Sequence, residues 1–468
     1  MVFASLVFLF IFLPLNFIFY YSSGNKNYRN VVLIAFSFFF YAWGEPVWIV
    51  LMIISASVDY INGLVIEKYR GTIRAKIGLI SSLVVNLGLL GIFKYSGFFY
   101  QTLNDWFGMS LDIPSFSLPI GISFYTFQTI SYTVDVYRNE VKAQHSFMKF
   151  FMFVSLYHQL VAGPIVRYSH IAHEIDNRKV NLDDISSGVN RFCVGLFKKV
   201  FFANVAGELV AIYLDGDLSA LSVGEAWWAI VLFSFQIYFD FSGYSDMAIG
   251  LGRMFGFHYH ENFNYPYIAR SATEFWRRWH ISLGTFFKDY LYIPLGGNKT
   301  NVYRNLLIVW FLTGLWHGAS WNFVLWGLYF GVLIALEKAF LSNLFARIPA
   351  FFSHVYLLFA AVFGWAIFYF TDLARLTSFL SILFGQSESV GWNFELTIQL
   401  QNYSLWLVAA ILASIPAIPF LTKYLLDKNL IKRNYYAYSL SAINIALLLI
   451  STAFLIGKSY NPFLYFRF

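Results

Sequence analysis

One histidine, His317, lies in the uncharged, helix-length run LTGLWHGASWNFVLWG, with glycine at 314 and 318. A neutral imidazole can accept a proton from a hydroxyl nucleophile and later return it, and its ordinary pKa suits work near neutral pH. The alternative is a buried histidine satisfied by one hydrogen bond. Because ionisable groups in apolar segments are costly and are kept mainly where they do chemistry, we predict that His317 is catalytic.

A second histidine, His280, follows two arginines in the Trp-rich segment TEFWRRWHISL. It could be a second catalytic group, could orient a thioester carbonyl, or could be a plain interfacial histidine. The neighbouring Arg277, Arg278 and Lys288 suit a polyanionic ligand such as the diphosphate of coenzyme A, through charge-assisted hydrogen bonds. Membrane-lipid headgroups compete for the same cations. We assign Trp279 to this binding segment as well.

Two acidic residues, Asp240 and Asp246, lie in the apolar segment QIYFDFSGYSDMAIGLG. A carboxylate at membrane depth needs a cationic partner or a functional role. We expect both residues to form ion pairs with Arg277 and Arg278, and a catalytic role is the minor alternative. Residues 236–327, which contain all of these groups, therefore form the predicted catalytic core.

Metal binding is not predicted. His258, His260 and Glu261 form the pattern H-x-H-E, but a metal site needs three or four converging ligands. We therefore interpret both histidines as ordinary loop residues. The single cysteine, Cys193, excludes an internal disulfide and a thiolate-only metal site.

The elements that position these groups are membrane helices. The chain has 468 residues, of which 59% are hydrophobic and 12% charged, whereas soluble domains carry about a quarter charged residues. Continuous apolar runs approach the ~20 residues that a spanning helix needs, and they lack the alternation of a β-barrel strand. We predict a single all-α polytopic membrane domain over residues 1–468, with roughly eleven spanning helices plus short or re-entrant ones.

Charge distribution sets the predicted orientation. Lysines and arginines concentrate in alternate loops, which the positive-inside rule assigns to the cytoplasm. These loops contain Lys26 and Arg29, then residues 68–76, then Arg138 and Lys142. Both termini are therefore predicted to be extracytoplasmic, in an inner membrane. The net charge of +7 follows from these loops, and no nucleic-acid module is visible.

In combination, these motifs resemble the membrane-bound O-acyltransferase family, and within it the bacterial branch that O-acetylates alginate and peptidoglycan. The segments PIGISFYTFQTISYTVDVYR, LVAGPIVR and the closing NPFLYFRF support the same resemblance. The branch usually has proline where this chain has His158, which could alter a local kink. The resemblance implies a multi-helix bundle, with His317 at the catalytic position and His280 at the second polar position.

The resemblance also implies substrates and partners. Acetyl-CoA is the expected donor from the cytoplasm, with no permanently bound cofactor. An extracytoplasmic SGNH-type O-acetyltransferase is the expected partner, and a cell-envelope polysaccharide is the expected acceptor. Two alternatives remain open at this stage: D-alanyl transfer to teichoic acid, and a transporter. A transporter is less favoured because no repeat of the kind many transporters contain is detectable.

The C-terminal residues 459–468 form a predicted extracytoplasmic tail. Phe463, Tyr465 and Phe468 give the pattern F-x-Y-x-x-F, which is similar to the end of the small membrane partner used in teichoic-acid D-alanylation. We hypothesise that Tyr465 receives acetyl from the His317 centre and passes it on, with a neighbouring base activating the phenol. The alternative is that the tyrosine and its phenylalanine neighbours are interfacial anchors.

Overall fold

The computed structural model describes residues 1–160, 163–387, 391–428, 433–457 and 463–464. Within these ranges the regular structure is helical throughout, and no strand occurs. The expectation of an all-α polytopic membrane protein is confirmed. Tyr465 and most of the tail motif lie outside the described residues, so the relay hypothesis stays a prediction.

Five helical segments of the described chain are long and apolar enough to cross a membrane: Ile49–Lys68, Ile73–Phe107, Trp321–Phe345, Ala350–Tyr369 and Tyr435–Leu455. A sixth arises if Phe394–Asn402 and Ser404–Ala413, bent by 58°, count as one broken span. This number is smaller than the roughly eleven expected. Several of the expected segments form shorter helices, as at Ile122–Tyr137, where 16 residues fall short of the hydrocarbon thickness.

The helices group into two compact units, each assembled from separate stretches of chain. The single domain that the sequence suggests stays a prediction. The first unit comprises Met1–Phe192, Ser245–His260 and the described residues after 454. Its helices are α1 (Leu13–Tyr21), α2 (Lys26–Ala42), α3 (Ile49–Lys68), α4 (Ile73–Leu90), α5 (Ser96–Phe107), α6 (Ile122–Tyr137), α7 (Phe147–Ser155), α8 (Tyr157–Leu160), α9 (Tyr168–Asn177) and most of α10 (Leu182–Phe197).

In the first unit, α3, α4 and α6 pack against one another. Helix α6 is buried along nearly its whole length, and the hydroxyls of Ser131 and Thr133 donate hydrogen bonds to carbonyl oxygens of its own backbone. A second core lies near the N-terminus, where the rings of Phe8, Phe40 and Tyr157 lie within 6.2 Å of one another. Asn25 caps the N-terminus of α2, and its side chain accepts hydrogen bonds from two backbone N–H groups.

The second unit comprises Cys193–Tyr244 and Glu261–Phe454. Its helices are α11 (Asn204–Leu214), the first part of α12 (Val223–Met254), α13 (Ala272–Arg278), α14 (Ile281–Phe287), α15 (Val302–His317), α16 (Trp321–Leu336), α17 (Ser342–Phe345), α18 (Ala350–Tyr369), α19 (Leu373–Leu383), α20 (Phe394–Asn402), α21 (Ser404–Ala413), α22 (Ala417–Asp427) and α23 (Arg433–Leu455). Short π-helical turns continue several helices, as at Lys198–Ala203, Lys288–Tyr292 and Glu337–Leu341.

Helices α15 and α16 form an antiparallel hairpin whose backbones touch. A Cβ atom added at Gly327 would lie 2.2 Å from the carbonyl oxygen of Trp310, and one added at Gly314 would lie 2.2 Å from that of Phe323. Glycine is required at both positions because real Cβ atoms do not approach this closely. Small residues of this kind allow membrane helices to approach closely and gain dispersion energy. The hairpin therefore gives the end of α15, where His317 lies, a rigid support.

Candidate active site

His280 occupies an unusual backbone position between two short helices. Helix α13 starts at the capping box Ser271-Ala-Thr-Glu274, in which the serine hydroxyl accepts a hydrogen bond from the Glu274 N–H. His280 then adopts φ 45° and ψ 54°, in the left-handed region. A β-branched or bulky residue in this region is strained, and such strain is concentrated at functional sites. The next residue, Ile281, bonds from its N–H to the Asn262 carbonyl at 2.9 Å.

Asn262 determines which nitrogen of the His280 ring carries the proton. Its Oδ1 lies 3.1 Å from Nδ1 of His280 and also accepts hydrogen bonds from the backbone N–H and the hydroxyl of Ser282, at 3.2 and 2.8 Å. A backbone N–H can only donate, so this Asn262 atom is the carbonyl oxygen, and Nδ1 of His280 must be the donor. Nε2 is therefore the unprotonated nitrogen.

The unprotonated nitrogen of His280 is available for chemistry. His280 is 1% exposed, and its Nε2 has no hydrogen-bond partner among the described residues. Burial, and then the neighbouring His317, hold the pKa of His280 well below its ordinary value. The ring is thus a neutral imidazole with a buried lone pair, which can accept a proton or a hydrogen bond but cannot donate one from Nε2.

His317 is the last residue of α15 and is also buried, at 6% exposure. Its ring makes edge contacts with Trp326 and Phe368, with centroid distances of 4.9 and 5.4 Å. The Trp316 ring contacts both histidine rings, with centroid distances of 5.1 Å to His317 and 5.8 Å to His280. The structure therefore brings together the two histidines that the sequence singled out, among closely packed aromatic rings. Their chemical roles stay predictions.

Glu337 holds the short helix that leads to His280. It lies in the π-helical turn after α16, is 1% exposed, and accepts hydrogen bonds from the backbone N–H groups of Ala272 and Thr273 and from the Thr273 hydroxyl. Tyr356 donates a further bond at 3.1 Å. A carboxylate at a helix N-terminus satisfies unpaired donors and interacts favourably with the helix dipole. Glu337 therefore ties α13 to the α15–α16 hairpin.

The buried acids have partners other than those expected. In the second unit Asp240 pairs with Lys199, and both side chains are almost fully buried. In the first unit Asp246 pairs with Arg191 at 2.7 Å. The expected pairing with Arg277 and Arg278 is wrong, because the partners are set by the faces on which neighbouring helices meet. Arg278 instead pairs with Glu274, one helical turn earlier, at 2.9 Å.

The proposed coenzyme A residues occupy different environments. Trp279 is buried, and its ring lies 4.8 Å from that of Trp365 and stacks on Phe275. Arg277 and Lys288 are exposed. A position in the packed aromatic core favours a structural role for Trp279. Coenzyme A binding by the cations stays a prediction.

Two other histidines discussed in the sequence analysis, His258 and His158, lie in the first unit. His258 lies between Glu174 and Asp184, with ring nitrogens 2.7 and 3.2 Å from the carboxylate oxygens. His158 occupies the position where the bacterial branch that the motifs resemble usually has proline. It is fully buried. Its ring stacks on Phe255 at a centroid distance of 5.2 Å, and its Nδ1 lies 3.3 Å from the Tyr259 hydroxyl.

Sequence reasoning missed Asn262, Lys199 and Glu337. Asn262 lies in ENFNYPY, a segment whose polar residues resemble an ordinary loop. Lys199 and Glu337 are flanked by charged or apolar residues of the kind found near helix ends. A signal was present for the last two, since each is an ionisable group beside a long apolar run.

The described part of the chain is thus an all-helical membrane protein with two buried histidines close together. The chain belongs to the MBOAT, membrane-bound O-acyltransferase family, whose model matches residues 126–380. It is therefore an O-acyltransferase and a multi-pass membrane protein. The matched region contains both histidines, Asn262 and Glu337.

The chain is also similar to individual bacterial proteins. It is 43% identical over 376 residues to a protein from Pseudomonas aeruginosa described as probable alginate O-acetylase AlgI, covering 79% of this chain and 72% of that protein. It is 36% identical over 374 residues to the peptidoglycan O-acetyltransferase of Helicobacter pylori, covering 73% and 71%. It is 28% identical over 242 residues to the teichoic acid D-alanyltransferase of Streptococcus thermophilus, covering 48% and 58%.

Proposed function

We propose that this acyltransferase uses cytoplasmic acetyl-CoA to drive O-acetylation of a cell-envelope polysaccharide. The alginate and peptidoglycan relatives, each matched over more than two thirds of its length, support acetyl as the acyl group and an envelope polymer as the acceptor. The D-alanyltransferase relative is less similar and is matched over a smaller share. The observation that carries the proposal is the proximity of His280 and His317, both buried, within one aromatic cluster.

The proposed reaction balances as a simple acyl transfer. An acceptor hydroxyl attacks the thioester carbonyl carbon of acetyl-CoA, and His317 takes the hydroxyl proton as general base. The new C–O bond forms, the C–S bond breaks, and coenzyme A leaves as a thiolate that receives the proton. The aromatic walls exclude water, which limits hydrolysis of the thioester.

His280 is assigned a narrower role than the sequence allowed. A residue that orients the thioester carbonyl must donate a hydrogen bond to its oxygen, and Nε2 of His280 carries no proton because Nδ1 donates to Asn262. We therefore assign His280 Nε2 to accept a hydrogen bond from the attacking hydroxyl or from the protonated His317 ring. Either contact would strengthen as the proton moves, which is the condition for a catalytic contribution.

The route across the membrane is the remaining part of the proposal. We place the chain in the inner membrane with both termini outside, and an extracytoplasmic SGNH-type transferase as the partner that passes acetyl to the polymer. The basic cytoplasmic loops support this orientation. Alkaline phosphatase fused after residue 468 should be active in intact cells, and a fluorescent protein fused at the same position should be dark.

The decisive experiment uses membrane vesicles that contain the full chain and receive radiolabelled acetyl-CoA or D-alanyl carrier protein in parallel. We expect acetyl label in envelope glycan, and loss of transfer by at least 10²-fold in His317→Ala. His145→Ala is the matched control, since that histidine is exposed and lies in the first unit, and it should keep full activity. Transfer of D-alanine but not acetyl, or full activity of His317→Ala, would refute the proposal.

A further inference from the structure

A groove lies along one face of the helical segment Ile73–Phe107, in which a short π-helical turn joins α4 to α5 of the first unit. Its floor contains Gly88, Gly91, Tyr95 and Phe99. These residues recur every three or four positions and therefore share one side of the helix. The cavity volume is about 660 Å³, within the range of roughly 300–1,000 Å³ that ligand pockets occupy. The groove is therefore large enough for a ligand.

Two glycines leave the groove open. Beyond the helix itself, no described atom lies within 4 Å of a Cβ atom added at Gly88 or Gly91. At Gly314 and Gly327, by contrast, the neighbouring backbone is too close for any side chain. Glycine within a helix is less favourable than alanine, and close helix packing does not explain it at Gly88 and Gly91. The missing side chains instead leave room beside the helix for another molecule.

The loop after α5 forms the opposite wall of the groove, with Pro114 and Phe116. This loop is held against the helix at two points. The side-chain amide of Asn104 exchanges two hydrogen bonds with the backbone of Leu111, both of 2.9 Å. Further along, the ring of Phe116 contacts that of Phe93 at a centroid distance of 5.4 Å. Both walls are therefore fixed by contacts within the protein, as in a preformed binding site.

We propose that the groove binds one acyl chain of a membrane phospholipid. The segment that carries the groove is long and apolar enough to cross a membrane, and Ile92 and Phe99 in the lining are 51% and 59% exposed. Apolar residues exposed on a spanning helix face hydrocarbon, so the groove is continuous with the lipid-facing surface. From Gly88 to Tyr100, both in the lining, the helix rises about 18 Å. One leaflet contributes ~15 Å to the hydrocarbon core, so one acyl chain matches the groove in length.

The lining favours a hydrocarbon chain over a segment of protein. A bound peptide must find partners for its backbone N–H and C=O groups, whereas the lining consists mainly of aromatic, glycine, isoleucine and proline residues. The hydroxyl of Ser96 in the lining already donates to the Ile92 carbonyl oxygen at 2.5 Å. Tyr100, at one end of the groove, is of a residue type enriched where acyl chains meet the headgroups. An acyl chain needs no polar partner along its length and therefore fits this lining.

The test is native mass spectrometry of the purified full-length protein, exchanged into lipid-free detergent and titrated with palmitoyl-oleoyl phosphatidylethanolamine. We expect one lipid to bind saturably, above the unsaturable background of further lipids. Lysophosphatidylethanolamine, which has a single acyl chain, should compete for the same site. Glycerophosphoethanolamine, which has the headgroup but no chain, should not compete. Competition by the headgroup alone, or the absence of a saturable first lipid, would overturn the proposal.

Variants of the two walls locate the site. Gly91→Leu should fill the groove from the helix side and weaken saturable binding about tenfold, the equivalent of losing contact with about two methylene groups. Phe116→Ala removes part of the opposite wall and should also weaken binding, so the proposal stays testable if Gly91→Leu does not fold. Val84→Leu is the matched control: Val84 is 66% exposed on the same helix and lies outside the lining, so the affinity should not change.

Two outcomes of these measurements would reject the lipid site. The first is wild-type affinity in both Gly91→Leu and Phe116→Ala, which would show that the saturable lipid lies elsewhere. The second is a dimer of the lipid-free protein that Gly91→Leu abolishes, because the groove would then hold a second copy of the chain.

Discussion

Asn262 accepts a hydrogen bond from Nδ1 of His280 at 3.1 Å, and this contact leaves the other ring nitrogen unprotonated inside the site. The backbone of His280 is in the left-handed region, and contacts with neighbouring residues must hold such a strained conformation. Asn262 is thus a positioning residue that acts through His280.

Asn262→Ala should lower kcat/KM by roughly 10²-fold while the protein remains folded, because His280 loses both its tautomer and its orientation. Asn262→Asp should restore most of the activity, since a carboxylate also accepts the Nδ1 proton. The added negative charge should raise the pKa of His280 and shift the acidic limb of the rate–pH profile upwards. A purely structural role predicts no such shift, so an identical profile in Asn262→Asp would count against the assignment.

Glu337→Ala should destabilise the protein by about 1–3 kcal/mol for each buried backbone donor left unsatisfied at the start of α13. The rate of acetyl transfer should fall by more than the loss of folded protein explains, because α13 leads directly to His280. Differential scanning fluorimetry and acetyl transfer at a temperature well below the Tm separate the two effects. Glu395→Gln is the control: Glu395 is exposed in the first turn of α20, and its replacement should change neither quantity appreciably.

Gly327→Ala should strongly impair folding, because the new methyl group would collide with the backbone carbonyl of Trp310. Overpacking of this kind costs typically 1–3 kcal/mol, and more where backbone must move. Gly88→Ala in α4 is the matched control, since nothing lies within 4 Å of the added carbon, and alanine is the better helix former. Yield of monodisperse protein after detergent extraction measures both; equal yields would show that α15 and α16 can separate at little cost.

His258 should give the stability of the protein a pH dependence. Partial burial lowers its pKa, but the bonds to Glu174 and Asp184 outweigh this and raise the pKa above the ordinary value of 6.5. A raised histidine pKa stabilises the fold fully below pH 6.5 and loses that contribution as pH rises through the folded-state pKa. His258→Gln should therefore flatten the Tm–pH curve above pH 6.5. A variant curve parallel to the wild-type curve would contradict this.

Much of the architecture could be predicted, because the hydropathy of a segment follows directly from the residues that it contains. Continuous apolar runs predict membrane helices, and a histidine inside one of them singled out His317, while the Trp-rich segment after two arginines singled out His280. The structure places both side chains together and buried, and their chemical roles stay predictions. Fewer helices of the described chain reach spanning length than the sequence suggests, since an apolar run such as 118–134 contains a helix of only 16 residues. The partner of Asp240 could not be found, because ion pairing depends on helix faces that meet only in the folded state. Asn262 was missed for the same reason: its role exists only once the chain has turned back to His280.

The aromatic wall around the two histidines has a spectroscopic consequence. Six of the 14 tryptophans of the chain lie in this one cluster: Trp276, Trp279, Trp310, Trp316, Trp326 and Trp365. Excitation energy absorbed by any of them passes readily between indoles at such short separations, and a protonated imidazole quenches indole emission. Under the proposed mechanism, protonation of His317 should therefore lower the intrinsic fluorescence of the unlabelled protein, and turnover should be detectable without an added label.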